Sequence, residues 1–484
     1  MKFKEFEFGL ADANKEFTRN PEIFENAFCD RRGVIDKLIN KYEFLLVGRK
    51  GVGKSAYSAK IQSISNKIDN EIYAEVMNLS DFEFGTFSKT SIESDITGTQ
   101  KYKSSWDFIL LLNIYKILFN NLEITENEDI NKIIFLLDKV GFSLDNEYKS
   151  DVTRLSKFKL GIGVAFFDAE LERLYNTNPG SYLERLSIIT EKMFKGLNKV
   201  VLNDRRLVLI IDGLDDILRF RKNKMEIVAS LIRSVDYIND KTLQYNQKIK
   251  IIVLIREDII SMVNDPDLNK IIQDSSINLS WYNRLEDLKE IVNLRFALSG
   301  LTIENSISQW DNMFPKKIKG KTSWNYIIEY TLYKPRDILQ FLKYCQIEYP
   351  NNEYLTFCET QNVLKKFSHN YFIEEMKNEL SGFIDEELIY LIPIVFRRLD
   401  KYYDLSDVIK QCNEQSPKKK ITDNNIKSML LYLFDAGYIG LLLPNTDPKE
   451  KKPIEVFKHK NPNARIDYNQ KFLSHQGLYM GVRL

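Results

Sequence analysis

Short apolar runs alternate with stretches of helical spacing along the first 300 residues. Four runs have the length and apolar character of strands, at 44–47, 71–79, 207–211 and 248–255. Apolar residues recur at helical spacing in four longer stretches, at 55–67, 104–121, 179–200 and 285–298. Strands that alternate with helices favour a parallel sheet, so the sequence predicts an α/β fold. An alternating, glycine-bearing segment at 157–168 predicts a further strand or a small hairpin.

The last region of the chain, 350–484, has a different pattern. Helical spacing at 368–380, 386–399, 405–412 and 422–436 precedes strand-like runs at 438–443 and 454–457. Helices followed by a hairpin with a polar tip resemble a winged helix. Lysines cluster at the approach to the last helix and at the tip, namely Lys418, Lys419, Lys420, Lys449, Lys451 and Lys452. Two interpretations stay open: the lysines contact DNA phosphates, or the module is a regulatory clamp or a docking surface.

The first strand-like run leads directly into the pattern G-x-x-x-x-G-K-S. Its glycines let the backbone turn sharply and present N–H groups to phosphate oxygens. The following helix adds a positive dipole end. Lys54 would reach the outer phosphates, and the Ser55 hydroxyl would ligate Mg²⁺. The predicted nucleotide-binding residues are Gly48, Arg49, Lys50, Gly51, Val52, Gly53, Lys54, Ser55 and Ala56.

A second candidate feature is the apolar run that ends in Asp212 and continues as Gly-Leu-Asp-Asp. A buried parallel strand delivers such a terminal carboxylate to the C-terminal edge of its sheet. In a phosphate-loop protein, Asp212 would hold Mg²⁺ directly or through water. Asp215 and Asp216 are the candidates for orienting and deprotonating an attacking water, and the sequence does not separate them. One of these two could instead cap the next helix.

Arg256 directly follows the strand-like run at 248–255. If that strand lies beside the Asp212 strand, Arg256 reaches the same sheet edge. A cation there could stabilise charge that spreads over a γ-phosphate. The alternative is an ion pair of Arg256 with Glu257 or Asp258 on the protein surface.

The order of phosphate loop, apolar strand ending in Asp-Gly-Leu-Asp-Asp and apolar strand ending in Arg resembles the AAA+ and STAND ATPases. The segments Gly48–Ala56 and 211–216 are also similar to a bacterial group of phosphate-loop ATPases associated with phage defence. This resemblance covers about 30 to 345. It implies ATP as the nucleotide, Mg²⁺ as the metal, and an oligomeric switch whose nucleotide lies against a helical lid. Gly213 departs from the adjacent Asp-Glu of many AAA+ members.

The resemblance also points to Arg336, which begins a helix after Pro335 in the stretch Tyr-Lys-Pro-Arg-Asp. In AAA+ proteins an arginine at this place contacts the γ-phosphate. An Arg–Asp pair or a helix-start packing motif is the alternative for Arg336. A further arginine could come from a neighbouring subunit, and Arg219, Arg221 and Arg233 are guesses for that role.

The composition of the chain limits the class of protein that these predictions can describe. The chain has 484 residues, 44% hydrophobic and 28% charged, with a net charge of +1 and four scattered cysteines. These values are typical of a cytoplasmic globular protein with reduced thiols and no membrane segment. The predicted domains are an N-terminal extension (1–30), a phosphate-loop core (31–300) with a mostly helical insertion at about 80–180, a helical lid (301–349), and a helical linker with a winged helix (350–484).

Taken together, the residues and the resemblance predict a Mg²⁺-dependent ATP hydrolase with Lys54, Asp215, Asp216, Arg256 and Arg336 as catalytic residues. The expected output is a regulatory switch that forms homo-oligomers and controls a protein effector or DNA. The alternative is a DNA-binding winged-helix regulator that holds ATP with negligible turnover.

Overall fold

We describe the protein from a computed structural model. The structure describes residues 1–67, 72–80, 82, 84–87, 102–121, 128–139, 142, 144, 182–214, 225–263, 265–416, 421–445 and 452–483. Contacts divide the chain into two compact units. The sheet unit comprises Arg32–Gly48 and Tyr57–Asn278. The C-terminal unit comprises Met1–Arg31, Arg49–Ala56 and Leu279–Leu484.

The first part of the chain alternates strands with helices. The strands are β1 (Leu45–Gly48), β2 (Ile72–Asn78), β3 (Arg206–Asp212), β4 (Ile249–Ile255) and β5 (Ser276–Leu279). The described helices are α1 (Ala13–Arg19), α2 (Pro21–Asn26), α3 (Val34–Asn40), α4 (Lys54–Ser65), α5 (Phe84–Phe87), α6 (Lys103–Asn120), α7 (Glu128–Lys139), α8 (Tyr182–Leu197), α9 (Met225–Gln244), α10 (Glu257–Met262) and α11 (Pro266–Ser275).

The central sheet has the strand order β2-β3-β4-β1-β5. Its pairs β2 with β3, β3 with β4, and β4 with β1 are parallel. The inner strands are buried along nearly their whole length, which explains why they read as continuous apolar runs rather than alternating ones. The predicted α/β class with a parallel sheet is confirmed.

Helix α6 forms much of the core of the sheet unit. It is buried on nearly every face, although it lies within the predicted insertion at 80–180. Two of its side chains donate to the backbone of other helices: Trp106 Nε1 donates to Ile227 O at 3.0 Å, and the Tyr115 hydroxyl donates to Met193 O at 2.8 Å. Part of the predicted insertion is therefore core. The hairpin predicted at 157–168 lies outside the described residues.

The C-terminal unit is mainly helical. Its helices from residue 285 on are α12 (Leu285–Leu298), α13 (Ile303–Met313), α14 (Ser323–Ile328), α15 (Pro335–Glu348), α16 (Phe357–Phe367), α17 (Ile373–Leu380), α18 (Glu386–Arg398), α19 (Leu405–Gln415), α20 (Asp423–Ala436) and α21 (Gln476–Gly481). A π-helical turn, Ser368–Phe372, joins α16 to α17. A short hairpin of β6 (Lys317–Ile318) and β7 (Lys321–Thr322) precedes α14.

The N-terminal segment is part of the core of the C-terminal unit. Phe3, Phe6 and Phe8 are all buried, and the Phe6 ring meets Phe296 of α12 at 5.2 Å between centroids. Glu16 of α1 forms a bidentate ion pair with Arg295, with distances of 2.8 and 2.7 Å. The predicted N-terminal extension (1–30) therefore includes residues that pack in this core.

A second, antiparallel sheet ends the chain. It contains β8 (Tyr402–Tyr403), β9 (Ile439–Leu443), β10 (Ile454–Val456) and β11 (Lys471–Ser474), in the order β10-β9-β11-β8. The predicted hairpin is present as β9 and β10, with Leu443 opposite Ile454. Strand β11, which the sequence analysis did not predict, pairs with β9 and β8. The predicted lysine cluster lies outside the described residues, except for Lys452.

None of the helices within the described ranges has the length and hydropathy that a bilayer span requires.

Candidate functional site

The predicted phosphate loop runs from the end of β1 to the start of α4. Gly51 and Gly53 have φ angles of +83° and +101°, a region that favours glycine over every other residue. An added Cβ on Gly53 would meet no atom within 4 Å, so the loop is open beside this residue. Lys54 begins α4, and its Nζ donates to the Arg49 carbonyl at 3.2 Å. The turn, the open side and the helix start fit a group that presents phosphate oxygens.

Residues of the C-terminal unit hold this loop from several sides. Arg49 donates from its guanidinium to the carbonyls of Asp435 and Ala436, at the C-terminal end of α20. A guanidinium at that position complements the negative end of the helix dipole. Trp281 Nε1 donates to the Val52 carbonyl at 2.9 Å. The loop conformation therefore depends on contacts that are remote in the sequence.

Two cations from the start of α15 lie beside Gly51. A Cβ built on Gly51 would be 3.3 Å from Lys334 Cδ and 3.7 Å from Arg336 Cδ. Each of these cations faces an acid of α17. Lys334 Nζ lies 2.7 Å from Glu379 Oε1, and Arg336 NH1 lies 3.7 Å from Glu375 Oε2. The structure thus brings Arg336 to the loop, and it adds Lys334, which the sequence analysis did not select.

The turn that carries these cations is tied down by Asp337. Its carboxylate accepts from the Leu332 backbone N–H at 2.8 Å and from the Tyr371 hydroxyl at 3.0 Å. Burial raises the pKa of Asp337, while nearby Lys334 acts in the opposite direction. Asp337 therefore does not form the Arg–Asp pair that the sequence left open as an alternative, because its carboxylate is bound to Leu332 and Tyr371.

His459 is a buried residue near Arg49 that was not among the predicted site residues. A Cβ on Gly437 would be 2.7 Å from His459 Nδ1 and 3.0 Å from Arg49 NH1, which places both side chains against the same glycine. Neither ring nitrogen of His459 has a hydrogen-bond partner in the described structure. Burial, and then the charges of His475 and Arg49, hold its pKa well below 6.5. No local sequence pattern marks this residue.

At the C-terminal edge of the central sheet, Asp212 is the last residue of β3 and pairs in register with Asn78 of β2. Its Oδ1 accepts from the Gly213 backbone N–H at 2.7 Å. Gly213 has a φ of +80°, and an added Cβ would be 2.2 Å from Asn78 Oδ1 and 2.6 Å from the Ser80 nitrogen. Close approach of the β2 end therefore explains the glycine after Asp212. Asp215, Asp216, Arg219 and Arg221 lie outside the described residues.

Arg256 follows β4 at this same edge, and the ends of β1, β3 and β4 are aligned by their parallel register. Its Nε donates to Asp258 Oδ1 at 2.9 Å, and its NH2 pairs with Asp258 Oδ2. This partner is one of the two that the alternative named, although the Arg256 side chain is buried rather than on the surface. A role of Arg256 at a γ-phosphate stays a prediction.

Arg233 was one of the guesses for an arginine that reaches a neighbouring subunit. In the structure its NH2 atom lies 2.7 Å from Asp265 Oδ2.

Within the described ranges, no group of three or more His, Cys, Asp or Glu side chains could hold a metal ion. A Mg²⁺ ion on a nucleotide does not need such a group, because it takes one or two protein ligands together with phosphates and waters. The Ser55 hydroxyl and the Asp212 carboxylate are oxygen groups of the type that Mg²⁺ takes as protein ligands.

Two comparisons with known proteins bear on this chain. Residues 286–374 match a family model described as the FunZ-associated C-terminal helical domain. This stretch includes Lys334 and Arg336. The chain is also 21% identical, over 491 aligned positions, to a protein of Escherichia coli (strain K12) that is named as a transposon gamma-delta 80.3 kDa protein. The alignment covers 96% of this chain and 65% of that relative.

Proposed function

We propose that this chain is a Mg²⁺-dependent ATP hydrolase that works as an oligomerising regulatory switch, built on a phosphate-loop core of the AAA+ or STAND kind with a helical lid and a C-terminal winged helix. The observation that carries the proposal is the loop Gly48–Ala56. It follows a buried strand of the parallel sheet, has left-handed glycines at Gly51 and Gly53, and ends at a helix that starts with Lys54.

In this proposal the loop amides and Lys54 bind the phosphates, while Ser55 and Asp212 hold Mg²⁺. The metal, when bound, neutralises charge on the phosphate oxygens. Asp215 or Asp216 positions and deprotonates the attacking water. Arg256 and Arg336 stabilise the charge that develops during transfer. Catalysis then rests on positioning and charge stabilisation rather than on a covalent intermediate.

The contacts of the loop support a switch. Lys334 and Arg336 lie beside Gly51, yet Glu379 and Glu375 face them. A nucleotide phosphate at the loop would compete with these carboxylates for the same cations. Arg49 ties the loop to α20, so a change at the loop is transmitted to the proposed winged helix. Nucleotide state would thus alter the surface that meets a partner.

The partners that we propose are further copies of this chain and a protein effector, with DNA as an additional ligand of the winged helix. The motif resemblance suggests anti-phage defence in the cytoplasm as the setting. The name of the Escherichia coli relative suggests mobile DNA as another setting.

The test combines light scattering with phosphate release, each without nucleotide, with ADP, and with ATP or a slowly hydrolysed analogue plus Mg²⁺. We expect turnover and nucleotide-dependent assembly, and Lys54→Ala should abolish both. Lys410→Ala, which removes an exposed lysine of α19, is the control and should change neither.

A double variant, Asp215→Asn with Asp216→Asn, separates the two mechanisms. If the variant binds nucleotide but has lost both turnover and control of its effector or DNA, the hydrolase is supported. If it keeps that control without turnover, a regulator that only holds ATP is supported. A chain that stays unchanged in size and releases no phosphate contradicts the oligomerising hydrolase.

A further inference from the structure

A second cleft lies within the C-terminal unit, between the π-helical turn, α17 and α18. Its volume is about 710 Å³, in the range of ligand-binding clefts. The backbone end of α21 closes one side through Gly481 and Val482. Its lining includes basic and aliphatic side chains, which determine the kind of ligand that fits: His369, Ile373, Lys377, Ile394, Arg397 and Arg398. None of them belongs to the predicted nucleotide site.

The charges of this cleft are unbalanced. Glu374 is the acidic residue of the lining, and it is already bound to Lys377 at 2.7 Å. Arg397 and Arg398, at the end of α18, are exposed and form no ion pair within the described part of the chain. Two guanidinium groups therefore face solvent at the mouth of the cleft. Guanidinium is the side-chain group best suited to bind carboxylate or phosphate in a bidentate way.

The other half of the lining is aliphatic. Ile373 is buried, Ile394 is 48% exposed, and Pro393 and Val482 complete an apolar wall. One turn before Ile394, Tyr390 is 67% exposed on the same face of α18. An apolar wall beside two uncompensated arginines fits a ligand that has both an apolar group and negative charges.

The kind of apolar surface distinguishes two ligands. Single-stranded nucleic acids bind through bases that stack on aromatic side chains. The lining of this cleft contains no Phe, Tyr or Trp, and the neighbouring Tyr390 ring already has Lys377 Nζ over it, at 5.7 Å from the ring centroid. An aliphatic wall instead accommodates an apolar side chain of a peptide, with neighbouring carboxylates on the arginines.

We propose that this cleft is the docking site for an acidic segment of a partner protein. An apolar side chain of the segment enters against Ile373 and Ile394, and its carboxylates pair with Arg397 and Arg398. The assignment depends on the C-terminal unit alone, so it stands or falls independently of ATP hydrolysis.

The test is selection of a random peptide library on the full chain, followed by fluorescence polarisation with the recovered peptides. We expect peptides with Asp or Glu around an apolar residue, whose binding weakens with added salt. The double variant Arg397→Glu/Arg398→Glu should bind them at least about tenfold more weakly, because a charged pair at each site is replaced by repulsion. Ile394→Asp tests the apolar contact and should weaken binding as well.

The matched control is Lys316→Glu/Lys317→Glu, which makes the same charge change at two adjacent exposed lysines outside the cleft. It should leave binding within about twofold. Thermal melts check that every variant is folded.

The proposal is overturned if no peptide is enriched over background or if the recovered peptides are not acidic. It is equally overturned if they bind the arginine variant as well as the original chain. A single-stranded oligonucleotide that displaces the peptides and binds more tightly, with the same dependence on the arginines, would reassign the cleft to nucleic acid.

Discussion

The ion pair of Lys334 and Glu379 provides a direct test of the loop environment. Nζ and Oε1 are 2.7 Å apart, and the two side chains are 5% and 6% exposed. Glu379→Gln removes one charge and leaves the buried ammonium group without the carboxylate that it contacts, although the charge of Asp337 still acts on it. Breaking a buried pair in this way costs about 3–5 kcal/mol of unfolding free energy. For a unit of this size, that corresponds to a decrease of about 6–20 °C in the unfolding temperature.

Thermal and urea unfolding of the full chain, followed by circular dichroism, measure this loss. The control is Glu374→Gln on the same helix, because Lys377 binds Glu374 at the same 2.7 Å but both side chains are more exposed, at 24% and 58%. That exposed pair should contribute less than about 1 kcal/mol. The double variant Lys334→Met/Glu379→Met removes both charges and should recover most of the lost stability.

Equal, small losses in Glu379→Gln and Glu374→Gln would refute the argument, since they would mean that burial does not isolate the Lys334 charge. If the proposed ATP site is also correct, Mg²⁺ with an ATP analogue should stabilise Glu379→Gln more than the original chain. The phosphates would then replace the missing carboxylate beside Gly51.

Two further predictions follow from burial and backbone geometry. In the folded chain, burial lowers the pKa of His475 to about 3 from 6.5, so the unfolded chain takes up a proton first as the pH falls. Stability should therefore decrease below pH 6.5 by up to about 1.4 kcal/mol per pH unit, and urea unfolding between pH 6.5 and 4 should show a shallower decrease for His475→Asn. Gly213→Ala should lower the free energy of unfolding by about 3 kcal/mol or more. The strain of a positive φ contributes about 1–3 kcal/mol, and a close contact with Asn78 adds to it. Gly300→Ala, with a φ of +96° and no atom within 4 Å, carries the strain alone and should melt higher than Gly213→Ala.

The local pattern of the chain was enough to predict four of the five strands of the central sheet and several of the longer helices, although not the 20-residue helix α9. The strand at 248–255 is observed as Ile249–Ile255, and the helix at 285–298 is observed as Leu285–Leu298. These elements bury long apolar runs or one apolar face, so their signal is contained in neighbouring residues. Strand β11 was missed because it has only two apolar residues, Phe472 and Leu473, and is stabilised by pairing with β9 and β8.

Some residues of the candidate site were recognisable from the sequence, and others were not. Gly51, Gly53 and Lys54 were recognisable because a phosphate loop is a contiguous pattern whose backbone geometry needs glycine at particular places. Lys334, Glu379 and His459 were not recognisable, because their roles come from burial and from neighbours that the sequence separates by tens to hundreds of residues. The Asp258 partner of Arg256 was one of two local alternatives, and only side-chain geometry distinguishes it from Glu257.

The sequence by itself determined the α/β class and the alternation of strands with helices that favours a parallel sheet, because both depend on local periodicity. It also determined the position of the loop Gly48–Ala56, because the backbone of that loop requires glycine at particular adjacent positions. Tertiary structure alone decided that Arg49 binds the end of α20 and that carboxylates of α17 face Lys334 and Arg336. It also decided that Arg397 and Arg398 are exposed and form no ion pair with any residue in the described ranges. Charge pairing and burial depend on which remote segments meet, and a one-dimensional pattern does not contain that information.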